Sequence, residues 1–147
     1  DSVWVISNQE LGQYAYLDTL ESVSNVSSDP YELCGTENTA ALLQSDRTAY
    51  AAQAVANFSS PVKGWALPSI GELRMLSASL AIVGKSMEII GGDAFLTTQY
   101  LSSTQDGSNS QTEALYANCI TLQSGYVSSM NKKDKAEVRP VLRMKIR

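Results

Sequence analysis

Apolar and polar positions recur along this chain with two periods. Val3-Trp4-Val5-Ile6 and Tyr14-Ala15-Tyr16-Leu17 are short β-branched and aromatic runs, and with Gly12 between them they predict an opening pair of strands. From Asp18 to Gly35 no periodicity holds, which predicts an irregular connection. Thr36-Glu37 ahead of Ala40 to Gln44 predicts a helix that Ser45-Asp46 interrupts. Ala51, Ala54, Val55 and Phe58 then recur at helical spacing and stop before Ser59-Ser60-Pro61. Ile70, Leu73, Leu76, Leu80 and Val83 form a longer helical stripe, with Gly84 as its expected break and Gly91-Gly92 as a helix-ending turn.

Beyond that point the period falls to two. Gln99 to Ser103, Glu113 to Leu122 and Tyr126 to Met130 predict strands, separated by the turn formers of Asp106-Gly107-Ser108-Asn109-Ser110 and of Gln123-Ser124-Gly125. Val138, Pro140, Leu142, Met144 and Ile146 alternate with Arg139, Val141, Arg143, Lys145 and Arg147, which predicts a half-buried last strand with Pro140 at its start or on an edge.

The most specific local signal lies in Gly64-Trp65-Ala66-Leu67-Pro68-Ser69-Ile70-Gly71-Glu72-Leu73. Pro68 restricts Leu67 to an extended conformation, and Ser69 with Glu72 three residues on fits a capping box for a helix starting at Ile70. Trp65, Pro68, Ser69 and Glu72 are therefore read as structural residues, with Trp65 anchoring the core.

Composition narrows the partners. At 147 residues and 44% hydrophobic content the chain is read as one domain, 1–147, with a real core. A net charge of -4 argues against nonspecific binding to nucleic acid, and no apolar run approaches the ~20 residues a spanning helix needs, so no membrane insertion is expected. The charge is uneven. Residues 1–60 hold eight acids and one base, while from Lys132 onward seven bases face two acids. Apposition of the two ends accounts for this; an anion-binding tail is the other reading.

The chain has no histidine, which removes Ser-His-Asp, Cys-His and HExxH chemistry. Ser129 with Lys132, and Ser60 with Lys63, match a Ser-x-x-Lys spacing without the scaffold that gives such a pair meaning. Glu72, Asp106 and Glu113 are not forced together by any pattern, so an acid pair of the glycosidase kind is not expected. No catalytic residue, metal ligand or cofactor motif is assigned. Cys34 and Cys119 lie too far apart in sequence for a CxxC pair; a disulfide and two free thiols both stay open.

Four motifs occur in a fixed order: Asn38-Thr39 before an alanine-rich helix, Gly64-Trp65-Ala66-Leu67-Pro68-Ser69 with Glu72-Leu73, Tyr100-Leu101-Ser102-Ser103-Thr104, and Val138-Arg139-Pro140-Val141. In this the chain resembles the bacterial C-type-lectin-like domains of the DUF1566 and Fibrobacter-paralogue type, related to the variable receptor-binding proteins of diversity-generating retroelements. The resemblance covers Gly35 to the C-terminus. It implies an α+β, C-type-lectin-like fold: two helices packed on a twisted, mainly antiparallel sheet whose N- and C-terminal strands pair. It also implies an exported bacterial protein at the cell surface or outside the cell. Leu101 stands where that family usually has Trp, so no aromatic floor is expected beside the site. The Glu-Pro-Asn and Trp-Asn-Asp signatures of calcium-dependent sugar binding are absent, so calcium is not expected.

On this reading the chain is a noncatalytic, adhesin-like ligand-binding module for a glycan or protein receptor. Its expected contact residues are Asp106, Asn109, Gln111, Tyr126 and Asn131, between the Ser-Ser-Thr and Val-Arg-Pro-Val motifs, where a scaffold presents loops. The alternative is a structural or assembly subunit of a surface fibre or lipoprotein, joined through an exposed edge strand.

Overall fold

The two ends of the chain lie side by side. In the computed structural model, which describes residues 1–146, strand β1 (Ser2–Ile6) pairs antiparallel with β7 (Val141–Lys145), setting Val3 opposite Met144 and Val5 opposite Leu142. The other strands are β2 (Gln13–Ala15), β3 (Gln99–Gln105), β4 (Tyr116–Thr121), β5 (Tyr126–Asn131) and β6 (Lys135–Glu137), in the sheet order β2-β6-β3-β4-β5. Pairing is antiparallel except where β3 meets β6 through Tyr100 and Glu137. Five helices occur among the described residues: α1 (Gly35–Gln44), α2 (Tyr50–Ala56), α3 (Ile70–Ala78), α4 (Leu80–Ile89) and α5 (Ser110–Leu115). The fold is thus mixed α+β with two mostly antiparallel sheets.

Alternation along β3 divides the core. Leu101 points to a cluster with Tyr16, Leu17, Leu42, Val55 and Leu67, which joins the sheet to α1 and α2. Tyr100 points the other way, to Ile120 and Leu122 of the sheet and to Ile70, Leu73 and Leu76 of α3. Both faces of β3 are therefore covered, which is why six of its seven residues are buried.

The capping box at the start of α3 is present and does more than cap. Ser69 Oγ accepts from Glu72 N at 3.3 Å while Glu72 Oε1 accepts from Ser69 N at 2.9 Å. The same Oε1 accepts from Gly35 N at 3.1 Å, the first residue of α1, and Oε2 accepts from Trp4 Nε1 of β1. Ser69 Oγ in turn donates to Glu32 O at 2.8 Å. Two buried polar side chains thus tie two helix starts and a strand together. The backbones approach so closely that a Cβ on Gly71 would lie 2.5 Å from Glu32 O.

The four sequence motifs meet around this point, the last of them through Val141 O, which accepts from Ala66 N at 2.8 Å. Asn38 Nδ2 donates to Ser103 Oγ at 3.2 Å, and Thr39 Oγ1 accepts from Leu67 N at 2.9 Å. Ser103 N donates to Pro68 O at 2.8 Å, and Thr104 Oγ1 accepts from Ile70 N at 2.9 Å. These motif residues satisfy one another's buried backbone and side-chain groups, so their order in sequence reflects packing.

Several expectations are corrected. The helices number five among the described residues, not two. The opening strands do not pair with each other: β1 goes to β7 and β2 to β6. The long third helix breaks at Ser79, which ends α3 and precedes α4, whereas Gly84 lies inside α4. An interior glycine costs about 1 kcal/mol and need not end a helix. Residues 113–115, read as strand, belong to α5, because Asn109 caps that turn by accepting from Thr112 N at 2.9 Å. The alternation at the C-terminal end does not translate into burial: Val138, Arg139 and Pro140 are all buried, while Met144 and Ile146 are exposed. Trp65 is half-buried, packing edge-on against Phe58 at a centroid distance of 5.5 Å.

Candidate functional site

Most of the sequence-predicted contact residues are engaged locally. Asp106 directly follows β3 and is buried; Oδ1 accepts from Ser108 N at 2.8 Å and Oδ2 accepts from Ser129 Oγ. Burial works to raise its pKa, but the hydrogen bonds from Ser129, Ser108 and Thr112 outweigh it and leave the carboxyl below its usual value. Asn109 is the cap of α5, and Asn131 Oδ1 accepts from Lys133 N at 2.9 Å in the turn after β5. Gln111 is exposed on α5 and Tyr126 is 67% exposed. Asp106 and Asn131 both sit beside Tyr116, one through a backbone bond and one through strand pairing. Tyr126 lies at the far end of β5, opposite Thr121, so the structure does not bring it to the others. A hollow of 360 Å³ beside Asp106 is lined by serines, Asn118, Pro30 and Val127 and contains no aromatic ring.

The aromatic surface is elsewhere. Strand β2 is an edge of the five-stranded sheet, and helix α2 packs beside it. Tyr14 projects from β2 and Tyr50 from the first position of α2. Two hollows flank this pair of rings and share both of them. One, of 550 Å³, is completed by Gln13, Asp18, Lys133 and Lys135. The other, of 480 Å³, is completed by Gln53, Asn57, Phe58 and Ser59. Together they make one groove with an aromatic centre and amide, hydroxyl and ammonium groups along its walls. Asp18 is the single carboxylate in its lining, and Oδ1 of that group already accepts from Thr48 N at 3.1 Å.

The groove escaped sequence reasoning for a physical reason. Tyr14 read as an ordinary strand residue. Tyr50 stands outside the Ala51, Ala54, Val55 stripe, and that position on a helix whose other face is buried was the available signal of exposure.

Two long cations, Lys132 and Arg139, are fully buried, and both serve the scaffold. Lys132 Nζ donates to Glu21 O and to Gln105 Oε1, each at 2.7 Å, and lies 5.2 Å from the Tyr16 ring centroid. Gln105 Nε2 donates on to Val23 O and Val26 O, so the pair holds the irregular segment before α1. Burial lowers the Lys132 pKa to about 8, against the pull of Glu113. A base with a lowered folded pKa weakens the fold while it is charged, so stability rises as pH passes 8 toward the unfolded value of 10.5. The Cys34 thiol, pushed up to about 11 mainly by burial, has the opposite effect as pH approaches and passes its ordinary value of 9.0. Lys132 alone would raise the unfolding free energy by about 1 kcal/mol between pH 8 and pH 9, and the raised Cys34 and Cys119 thiols offset part of this, so a smaller net rise is expected. Lys132→Met should abolish that rise, as read from urea midpoints at the two pH values.

Cys34 and Cys119 are free. Cys119 Sγ faces Ser128 Oγ at 3.2 Å within the sheet, and Cys34 sits at the start of α1, so the open disulfide reading gives way to two separate thiols. Among the described residues no group of three or more Cys, Asp or Glu side chains is placed to hold a metal ion. No helix among them is long and apolar enough to cross a membrane. No protein-family model and no curated protein matches the chain.

Proposed function

We propose that this chain is a noncatalytic ligand-binding module of C-type-lectin-like kind, exported by a bacterium, whose Tyr14–Tyr50 groove holds a hydroxyl-rich chain such as an oligosaccharide. The observation that carries the reading is the pair of tyrosine rings shared by two contiguous hollows, whose other walls mix aliphatic side chains and Phe58 with the polar groups of Gln13, Gln53, Asn57 and Ser59 and the charged Asp18, Lys133 and Lys135. Tyrosine offers an apolar ring face and a polar tip at low entropic cost, which suits a ligand with apolar C–H faces and many hydroxyls. The pairing of β1 with β7 and the convergence of the four motifs on one buried network support the C-type-lectin-like assignment.

Tyr50 is 44% exposed, so Tyr50→Ala leaves the core intact. In titrations against saccharides that bind on a glycan array, Tyr50→Ala should weaken binding about tenfold or more, the effect of losing a central aromatic anchor. Gln111→Ala and Tyr126→Ala should leave it unchanged. Loss in Gln111→Ala with Tyr50→Ala unchanged would move the site to α5 and the Asp106–Asn131 region, loss in Tyr126→Ala would move it to the opposite end of β5, and either would remove the groove from consideration.

An assembly role is the second reading, favoured by a different observation. The outer face of the β1–β7 ribbon exposes Val3, Val5, Met144 and Ile146 together. A contiguous apolar patch of this kind is a common mark of protein contact. Concentration-dependent association that Val5→Lys eliminates would support it; a monomer at all concentrations would not.

A further inference from the structure

The two hollows of the groove differ in charge. Lys133 and Lys135 line the larger one, and among the described residues neither makes an ion pair. Their backbone positions are set. Lys135 lies opposite Ala15 in the β2–β6 ladder, and Lys133 N is held by Asn131 Oδ1 at 2.9 Å. Lys133 is thus carried on the turn and Lys135 is the first residue of β6, both lining the hollow that Tyr14 also lines. The one acid in that hollow, Asp18, has Oδ1 committed to Thr48 N, which leaves the wall with a positive excess on a protein whose net charge is -4. The other hollow has no charged lining residue; Gln53, Asn57 and Ser59 provide its polar groups.

From this asymmetry we infer that the groove takes an acidic oligosaccharide in one direction. A sugar bearing a carboxylate or sulfate sits at Lys133 and Lys135, and neutral sugars continue over Tyr50 toward Gln53 and Asn57. The inference rests on the groove being a saccharide site. Exposed ammonium groups attract an anion modestly and in a salt-dependent way, so charge selects the ligand and the rings retain it.

The test is calorimetric titration of the full chain with hexagalacturonate, its neutral methyl ester and hexaglutamate. The expected result is that hexagalacturonate binds on the order of tenfold tighter than the ester, as two exposed charge contacts would give. This advantage should vanish in Lys133→Ala/Lys135→Ala and shrink between 50 and 300 mM salt, while affinity for the ester stays the same. Equal affinity for acid and ester overturns the inference and leaves the saccharide groove standing. Hexaglutamate binding as tightly as hexagalacturonate, with no loss in Tyr50→Ala, marks a plain cationic patch and also overturns it. Failure of both saccharides to bind the parent chain removes the groove reading together with the inference.

Discussion

Replacing Arg139 by Met is expected to destabilise the fold by about 3–5 kcal/mol, the cost of removing one partner of a buried ion pair. Arg139 is 1% exposed. Its Nη1 donates to Glu10 Oε1 at 2.8 Å and to Asp93 O at 2.9 Å, Nε donates to Ser7 O at 2.8 Å, and the guanidinium lies 4.1 Å from the Phe95 ring centroid. Methionine fills the space over Phe95 but leaves two carbonyls and a carboxylate short of a donor. The carboxylate is the more serious loss. Glu10 also accepts from Tyr100 Oη and faces Glu137, whose pKa is raised by burial, by the Glu10 charge and by a carboxyl–carboxylate hydrogen bond to Glu10. Without the guanidinium, two acids share a buried site with no cation.

Two further outcomes follow from that geometry. The loss should be smaller at pH 5 than at pH 7, because Glu137, whose pKa is already raised by burial and by the charge beside it, takes up a proton more readily once the guanidinium is gone. Adding Glu10→Gln to Arg139→Met should recover part of the stability, a coupling that a double-mutant cycle in urea measures. If the two substitutions simply add, Arg139 acts through its backbone acceptors and Phe95, and the ion pair is not what the fold depends on.

The pair also explains the charge asymmetry of the sequence. Glu10 with Arg139, and Glu37 with Arg143 at 3.4 Å, join the acidic first half to the basic tail, as apposition of the ends requires. Lys133 and Lys135 belong to the same basic tail yet pair with no acid among the described residues. Both readings of the tail therefore have a physical basis, at different residues.

What was legible in the sequence was local. Ser69 and Glu72 announce a helix start because the capping interaction spans three residues, and β5 was read almost to its ends because its boundaries are turns. What was not legible depends on contacts between distant residues. The four apolar residues of β1 do not by themselves choose between β2 and β7; the pairing with β7 is what the family resemblance and the charge asymmetry of the ends imply. Residues 113–115 continue an alternating pattern, but the cap at Asn109 places them in a helical turn. Arg139 and Lys132 are buried because carbonyls from remote segments meet them, and a polar residue carries no sequence mark of such partners. The contact residues expected between 106 and 131 show the converse. Asp, Asn and Ser in loops suit ligand binding and local capping equally, and here Asp106, Asn109 and Asn131 cap.

Glu72→Ala is expected to be as damaging as Arg139→Met, about 3–5 kcal/mol, far above the effect of losing an ordinary helix-cap carboxylate. The reason is the number of donors it satisfies. Ser69 N, Gly35 N and Trp4 Nε1 all point to this one carboxylate, and each donor left buried without a partner costs about 1–3 kcal/mol. Those donors belong to α3, α1 and β1, so removal loosens three elements at once. For a domain of this size 1 kcal/mol corresponds to about 2–4 °C, and Tm should fall by roughly 10 °C. Glu72→Gln separates charge from geometry. Its carbonyl oxygen can still accept from Ser69 and Gly35, while its amide places a donor against the indole N–H of Trp4. Glu72→Gln should therefore lie between the parent and Glu72→Ala, and adding Trp4→Phe should offset part of the Gln penalty by removing the opposed donor. A Glu72→Ala loss of only about 1 kcal/mol, the usual value for a cap, would show that α1 and β1 are held by packing alone and that the shared carboxylate is incidental.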